Sequence, residues 1–255
     1  MSIAKCFSAH LVGLTMEVIT VEVDISNGLN SLSIVGLGDR AIEEAKDRVS
    51  AAIKNSGFTS PKQKNQKVVI SLAPADVRKE GPAFDLAIAI AYLAAAGEIT
   101  GELDKTLFLG ELSLEGDVRR IAGVLPMICQ ARRRGFERVF IPSENAEEAS
   151  MMSGGISAYA VSALNEVVAF ISGKANLSPV AYSTYNQSEL LAEHERGHDD
   201  MKNIRGNEGG KRAMEVAAAG AHNLLMFGPP GTGKPPPSQF FRTAAGSQPG
   251  SNGHR

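Results

Sequence analysis

Ile19-Thr20-Val21-Glu22-Val23-Asp24-Ile25-Ser26-Asn27-Gly28 decides the class of this fold. Apolar Ile19, Val21, Val23 and Ile25 alternate with Thr20, Glu22 and Asp24, and a period of two gives a strand one apolar and one polar face. Asn27-Gly28 is the strongest short hairpin signal, because both residues tolerate the positive φ of a two-residue turn. Leu29 to Val35 is therefore read as the returning strand. Past Asp39, a helix cap by type, Ile42, Ala45, Val49, Ala52 and Ile53 recur at helical spacing until Gly57 closes the segment. Strand, turn, strand and helix in that order mean mixed α and β.

Outward from this stretch the pattern repeats. Val68 to Leu72 is a short strand run, and a loop from Ala73 to Pro82 leads to an apolar helix over Phe84 to Ala96. Strand and helix pairs follow at Leu107 to Leu112 with Val124 to Arg134, and at Val139 to Pro142 with Asn145 to Met152. Ile156 to Val161 and Ala163 to Ile171 complete the series. Helices must cover the faces of such a sheet, so residues 1–173 are expected to form one α/β domain with a mixed sheet. Residues 174–202 turn to Ser, Asn, Gln, Glu, His and Asp with few apolar anchors, which predicts a linker. A second organised segment, 203–234, holds a helix over Lys211 to Ala219 and a strand over Asn223 to Phe227. Residues 235–255 have no periodicity and are expected to be disordered.

Composition bounds the rest. The 255 residues are 43% hydrophobic, enough for a core without metal or disulfide staples. The formal net charge of −2 neither advertises nucleic acid globally nor predicts disorder. Cys6 and Cys129 stand far apart with no CxxC spacing, and are expected as reduced thiols in a cytoplasmic protein. The longest apolar run, Leu86 to Ala96, falls short of the ~20 residues a membrane helix needs, so no membrane partner is expected.

The strand over Asn223 to Phe227 runs into Gly228-Pro229-Pro230-Gly231-Thr232-Gly233-Lys234. A strand ending in Gly-x-x-x-x-Gly-Lys is a phosphate cradle. Its glycines let backbone N–H groups turn toward the phosphates, and its lysine reaches the terminal pair. These seven residues are the candidate cofactor-binding set. The next position calls for Ser or Thr to ligate Mg2+ and for a helix whose N–H groups face the phosphate. Pro235 stands there, with no hydroxyl and no N–H, and it pushes Lys234 out of helical geometry. Pro236 and Pro237 extend the obstruction. The residues after Lys234 contain no Asp or Glu to serve metal or water. Pro235 therefore weighs against binding of ATP and Mg2+ by this chain, and ATP turnover by it is not expected.

Several strings in order resemble the magnesium-chelatase-like AAA+ ATPase family, which includes the ComM or YifB-type competence proteins. They are Val21-Glu22-Val23 with Ser26-Asn27-Gly28-Leu29, Ile34-Val35-Gly36-Leu37, Asn55-Ser56-Gly57-Phe58 and Leu72-Ala73-Pro74-Ala75-Asp76. Further along come Lys79-Glu80-Gly81 with Phe84-Asp85-Leu86, Leu109-Gly110-Glu111-Leu112, Val124-Leu125-Pro126, and Ala218-Ala219-Gly220 before His222-Asn223-Leu224-Leu225. The resemblance implies a Lon-protease-like domain of the ribosomal-protein-S5 type, then the start of a P-loop AAA+ domain. It also implies ATP and Mg2+ as cofactors, a hexameric homo-oligomer as partner, and ATP-driven work on DNA in the competence branch. Its loss after Lys234 is what a truncated or frame-shifted gene would produce. Two other roles stay open, a non-catalytic assembly or interaction domain and a chelatase-type ATPase subunit. An exposed apolar patch is expected where a motor would dock.

A Lon-type site needs a serine in a Lys-Asp-Gly-Pro-Ser-Ala-Gly-like string and a lysine after a Gly-Gly-Leu-like turn. This chain offers Lys79-Glu80-Gly81-Pro82-Ala83 and Ala122-Gly123-Val124-Leu125, so both halves of the dyad are missing. His194-Glu195-Arg196-Gly197-His198 matches a zinc-hydrolase pattern, with Glu208 or Glu215 as third-ligand candidates. Gly197 inside it and its polar flanks argue for a solvated linker instead. Gly36-Leu37-Gly38-Asp39-Arg40-Ala41 resembles a dinucleotide fingerprint without the acidic residue that should end the next strand, and is read as a turn and cap. Arg132-Arg133-Arg134, with Arg119-Arg120, is read as a solvated helix end rather than a phosphate patch. No catalytic and no metal-ligating residue is assigned.

Overall fold

The computed structural model describes residues 2–13, 15–36, 40–75, 81–152, 154–183, 206–220, 222 and 224. The chain divides into two units, residues 1–184 and 185–255. In the first, β1 (Ser2–Val12), β2 (Thr15–Asn27), β3 (Ser31–Val35), α1 (Arg40–Asn55), β4 (Gln66–Ala73) and α2 (Asp85–Ala95) come in sequence. They are followed by β5 (Thr106–Phe108), β6 (Glu111–Leu112), β7 (Val118–Arg119), α3 (Val124–Arg133), β8 (Arg138–Pro142), α4 (Ala146–Ser150), β9 (Ser157–Val161) and α5 (Leu164–Ile171). Of the second unit, α6 (Glu208–Ala219) is described.

One sheet runs β3-β4-β2-β1-β5-β8-β9. Its pairings are parallel except the two that β2 makes, with β1 and with β4, so the α/β class with a mixed sheet is what forms. Alternate residues of β5 and β8 point to opposite faces. Phe108 and Phe140 join a core with α1, α2 and α5, while Leu107, Val139 and Ile141 join a second core with α3 and α4. Both faces are apolar there, so these strands show no polar alternation. At the other end of the sheet Ile19, Val21 and Val23 are buried beneath the helices, while Glu22 on the reverse face is exposed. The alternation at 19–25 records that one-sided burial.

The hairpin expected at Asn27-Gly28 does not form. β4 lies between β2 and β3, antiparallel to the first and parallel to the second. The Asn30 side chain donates to Lys62 O at 2.6 Å, tying this connection to the turn that precedes β4. The link is thus a wide one, and β4 takes the place a hairpin partner would have held. The tight hairpin joins β1 and β2 instead, near Gly13 at φ +63°. It is clamped from α3, where Gln130 Oε1 accepts the Met16 N–H at 2.8 Å and Arg134 donates to Met16 O at 2.6 Å.

The run read as one strand over Leu107 to Leu112 splits. β5 joins the main sheet, and β6 pairs with β7 in a separate two-stranded sheet. Gly110 makes the break, where a Cβ would lie 2.6 Å from Val118 Cγ1. Among the described residues of the first unit, the exposed large apolar side chains are Ile3, Val12, Leu29, Val35, Leu114, Met151 and Tyr182. Ile3 and Val12 lie on β1 and Val35 on β3, while Leu29, Leu114, Met151 and Tyr182 lie outside the strands and helices.

α2 is apolar on every side and buried on every side, which requires neighbours all round. It packs on β1 and β2 and against α1. Burying Phe84, Leu86, Ile88, Ile90 and Leu93 contributes roughly 1.5–3 kcal/mol for each side chain. The one charge in the helix is Asp85, 1% exposed. Arg48 on α1 grips it with two bonds, Nε to Oδ2 at 2.6 Å and Nη2 to Oδ1 at 3.1 Å, and the Leu112 N–H donates to Oδ2 at 3.2 Å.

Burial pushes the Asp85 carboxyl up to about 6, against the opposing pull of the Arg48 guanidinium and the Leu112 amide. The fold therefore holds this proton where the unfolded chain has lost it. The contribution of this group to stability is full below the ordinary carboxylate range and is lost as pH rises through about 6. Arg48→Ala leaves a buried carboxylate unpaired at pH 7.5 and is expected to cost about 3–5 kcal/mol there. The loss should shrink at pH 5, where the carboxyl is neutral. Urea denaturation at both pH values checks this, and equal losses would mean that Arg48 acts only through the packing of its stem.

Candidate functional site

Gly228, Pro229, Pro230, Gly231, Thr232, Gly233 and Lys234 lie outside the described residues, as do Pro235 and the His194–His198 pattern. What the structure shows of their unit is α6, of which Ala217 is buried, followed by Gly220. The His222 N–H donates to Ala217 O at 2.8 Å, which turns the chain back on the helix end where the sequence places the strand of the phosphate cradle.

The two places where the resemblance points to a nucleophile and a base are both described. Lys79 and Glu80 fall outside, but Gly81, Pro82 and Ala83 form the turn that starts α2. The Asp85 N–H donates to Pro82 O at 3.1 Å, the Gly110 N–H to Ala83 O at 3.1 Å, and the Leu86 N–H to Gly110 O at 3.2 Å. This turn is therefore stitched to the β5–β6 connection by main-chain bonds that no side chain at position 83 supplies. Ala83 packs against the core under α3. Its methyl group has no atom that can attack a carbonyl.

Leu125 sits in the first turn of α3, half-buried. Gly123 precedes the helix at φ +77°, a backbone conformation that favours glycine, and a Cβ there would also have to displace the tip of the Leu11 side chain, whose Cδ1 would lie 2.4 Å away. The Leu125 N–H is taken by Glu148 Oε1 from α4 at 2.9 Å. Asn145 completes the arrangement, accepting the Ile121 N–H at 3.2 Å and donating to Ile121 O at 2.9 Å and to Glu148 Oε2 at 3.0 Å. A carboxylate over the free N–H groups of a helix start is a favourable partner for its dipole. The open recess here, about 520 Å³, is lined by Arg120, Ile121, Ala122, Gly123 and Glu148. Glu148 there holds the backbone of Leu125, and a leucine stands where the resemblance would put a lysine base.

The structure thus brings Ala83 and the start of α3 onto one core, since Ala83 and Val124 belong to the same apolar cluster. Near them is His10 on β1, its ring 6.2 Å from that of Phe84 and its buried Nε2 without a hydrogen-bond partner. Of the arginine group, Arg132 donates to Gly154 O at 3.2 Å and Arg134 to Met16 O, so the first holds a loop and the second the start of β2. Among the described residues no group of three or more His, Cys, Asp or Glu side chains converges as a metal site. No helix described is long and apolar enough to cross a membrane. Both cysteines are free thiols, Cys6 buried and Cys129 partly buried.

Reading by motif missed the Asp85–Arg48 pair and the Glu148–Asn145 bracket. The first had a signal in the sequence, a lone acid opening the apolar run Phe84 to Ala96. The second had none, because Asn145 and Glu148 become partners of residues 121–125 only through the sheet.

Two family models match this chain. Residues 21–145 match subunit ChlI of Mg-chelatase, and residues 200–240 match magnesium chelatase, subunit ChlI, a stretch that includes the phosphate-cradle string and Pro235. A protein named YifB from Salmonella typhimurium is 39% identical over 236 residues, 92% of this chain and 44% of that protein. Competence protein ComM from Haemophilus influenzae is 39% identical over 235 residues, 92% of this chain and 45% of that protein. Lon protease 2 from Thermus thermophilus is 33% identical over 133 residues, 51% of this chain and 16% of the protease. The chain spans less than half the length of the first two relatives. With motif strings from Val21 to the phosphate cradle agreeing with both matched stretches, the chain belongs to the magnesium-chelatase-like family, in its ComM/YifB type.

Proposed function

We propose that this chain is a fragment of a magnesium-chelatase-like AAA+ ATPase whose whole form works on DNA at the expense of ATP. In this chain residues 1–173 are a Lon-like, S5-like domain acting as an assembly or interaction module. Residues 174–202 are a linker, and 203–234 are the start of a P-loop domain. The working form of the family is read as a hexamer loaded with ATP and Mg2+.

The observation that carries this reading is the string Gly228 to Lys234 followed by Pro235 inside a stretch matched to a magnesium chelatase subunit. The glycines and Lys234 can present N–H groups and a cation to phosphates. Pro235 can neither ligate Mg2+ nor donate to a phosphate oxygen. The front of a nucleotide site is therefore present without its metal half. The competence protein among the relatives supports the DNA role, and the similarity to a Lon protease supports the assignment of the first domain. Ala83 and Leu125 support its silence as a peptidase.

The purified chain with ATP and Mg2+ is expected to release phosphate at the protein-free rate. A version in which the residues after Lys234 are replaced by a family motor, beginning with Thr at position 235, is expected to hydrolyse ATP faster when DNA is added. Turnover by the chain alone would sink the reading of the phosphate loop. A folded but silent chimera would sink the family role.

Peptidase activity gives a separate test. The native chain and an Ala83→Ser variant should both leave labelled casein at background cleavage, because Leu125 cannot accept the serine proton. Cleavage by the native chain would reveal a nucleophile elsewhere.

A further inference from the structure

Two loops meet at the corner of the sheet where β2 ends and β3 and β4 begin. One, Asn27 to Asn30, carries the chain from β2 to β3, and the other, Pro61 to Asn65, leads into β4. They are bound to each other. The Asn30 side chain donates to Lys62 O, the Ser26 hydroxyl donates to Lys67 O at 3.5 Å, and Gly28 lies where a Cβ would be 3.7 Å from Lys67 Cβ. The second loop is also braced from behind. Gln63 Oε1 accepts the Ser60 N–H at 2.9 Å, and the Ser60 hydroxyl donates to Ser50 O on α1 at 3.0 Å.

What this braced corner shows to solvent is cationic and amide. Lys62, Lys64, Asn65 and Lys67 are exposed on one side and Asn27 and Asn30 on the other, and neither 27–30 nor 61–67 contains Asp or Glu. Lys62 is engaged by Asp47 of α1. Among the described residues neither Lys64 nor Lys67 makes an ion pair. Asp24, half-buried and two residues before the Ser26 that faces Lys67, bounds the cationic corner toward the middle of the sheet. Between the positions tied to Lys67 and to Lys62 stands Leu29, 92% exposed, the highest value of any large apolar side chain described.

A single exposed leucine on an ordinary surface calls for no explanation. Here it is held on a fixed tip with cations on both sides, and that combination fits nucleic acid. Lysines take phosphates, amides donate and accept at phosphate oxygens and base edges, and a leucine on a fixed tip serves as a wedge at an opened base step. An anionic bilayer would also suit lysines and a leucine, but the amides of Asn27 and Asn65 would lose their hydrogen bonds against hydrocarbon.

We propose that the corner formed by residues 27–30 and 61–67 is a DNA contact, with Lys64 and Lys67 on phosphates and Leu29 set against bases that have left the stack. The inference rests on the proposed DNA role and puts part of that role in the first domain, apart from the phosphate loop. A net charge of −2 gives the whole chain no general attraction to DNA, so the contact is local.

The test titrates the full chain onto a forked DNA duplex carrying 2-aminopurine at the fork, over a series of salt concentrations. The native chain is expected to bind and to raise the fluorescence, as an unstacked base does. Lys64→Gln with Lys67→Gln should flatten the slope of log affinity against log salt by roughly 1.4 to 1.8, the loss due to two phosphate contacts. Leu29→Ser should keep the slope and abolish the rise in fluorescence. All three positions are exposed, and circular dichroism checks that each variant keeps the native fold. No binding by the native chain overturns the inference, as does an unchanged slope in the lysine variant or a rise that survives Leu29→Ser. Tighter binding to phosphatidylserine vesicles than to the fork, lost in the same variants, overturns it in favour of a membrane surface. The motor chimera keeps the two readings apart. ATP hydrolysis stimulated by DNA there, with no fork binding by the chain, leaves the family role standing and sinks the corner.

Discussion

The first unit is organised around one carboxyl group at the start of a helix that has no solvent face. α2 is surrounded by sheet and helix, and a carboxylate entering that space without partners would cost several kcal/mol. Asp85 enters because Arg48 from α1 and the Leu112 N–H from the β6 strand converge on its two oxygens. Three separate elements are thereby set against one another, and the Gly81–Phe84 turn is brought to Gly110. The helix supplies the apolar burial, and the bonds to Asp85 tie its first turn to α1 and β6.

The sequence was legible where burial is one-sided or where a helix is long. The alternation at Ile19 to Ile25 belongs to a strand with one solvated face, and α1, α2 and α3 follow from apolar spacing or continuous apolarity. β1 left no such mark, because Ser8 and Ala9 are both buried and His10 stands beside them, so its residues do not sort into polar and apolar positions. The Asn27-Gly28 hairpin failed for a different reason. Turn chemistry says that the chain can reverse, and it cannot say which strand will occupy the neighbouring place. β4 arrives from forty residues later along the chain and takes that place through eight paired positions with β2. Non-local pairing of this kind has no local signature.

The candidate site divides in the same way. The phosphate string and its defect at Pro235 are readable because that chemistry lives in consecutive residues. The bracket that Asn145 and Glu148 make around residues 121–125 is unreadable, since its two halves meet only after β8 and α4 have been placed. Composition reads residues 174–202 as a linker, and two side chains near its start pack on the cores of the first unit. Leu177 and Val180 are isolated apolar residues in a polar stretch, and they count as anchors only because the edge of β9 lies beneath them.

On the proposed Lon-like reading, the loss of a nucleophile and a base does not loosen the turns that would have carried them. The turn at Ala83 is held by its main chain to Gly110 and by Asp85 to Arg48, and the start of α3 by Glu148 and Asn145. None of those bonds uses the side chain at position 83 or 125. An alanine and a leucine there remove chemistry and leave the scaffold intact. The same logic does not extend to the phosphate loop. On the proposed reading of that loop the backbone itself would be the ligand, and a proline at position 235 has no N–H to donate and disfavours helical geometry at the residue before it. A side-chain catalyst can be lost without a change of scaffold, whereas a cradle made of backbone relies on its geometry for its ligand.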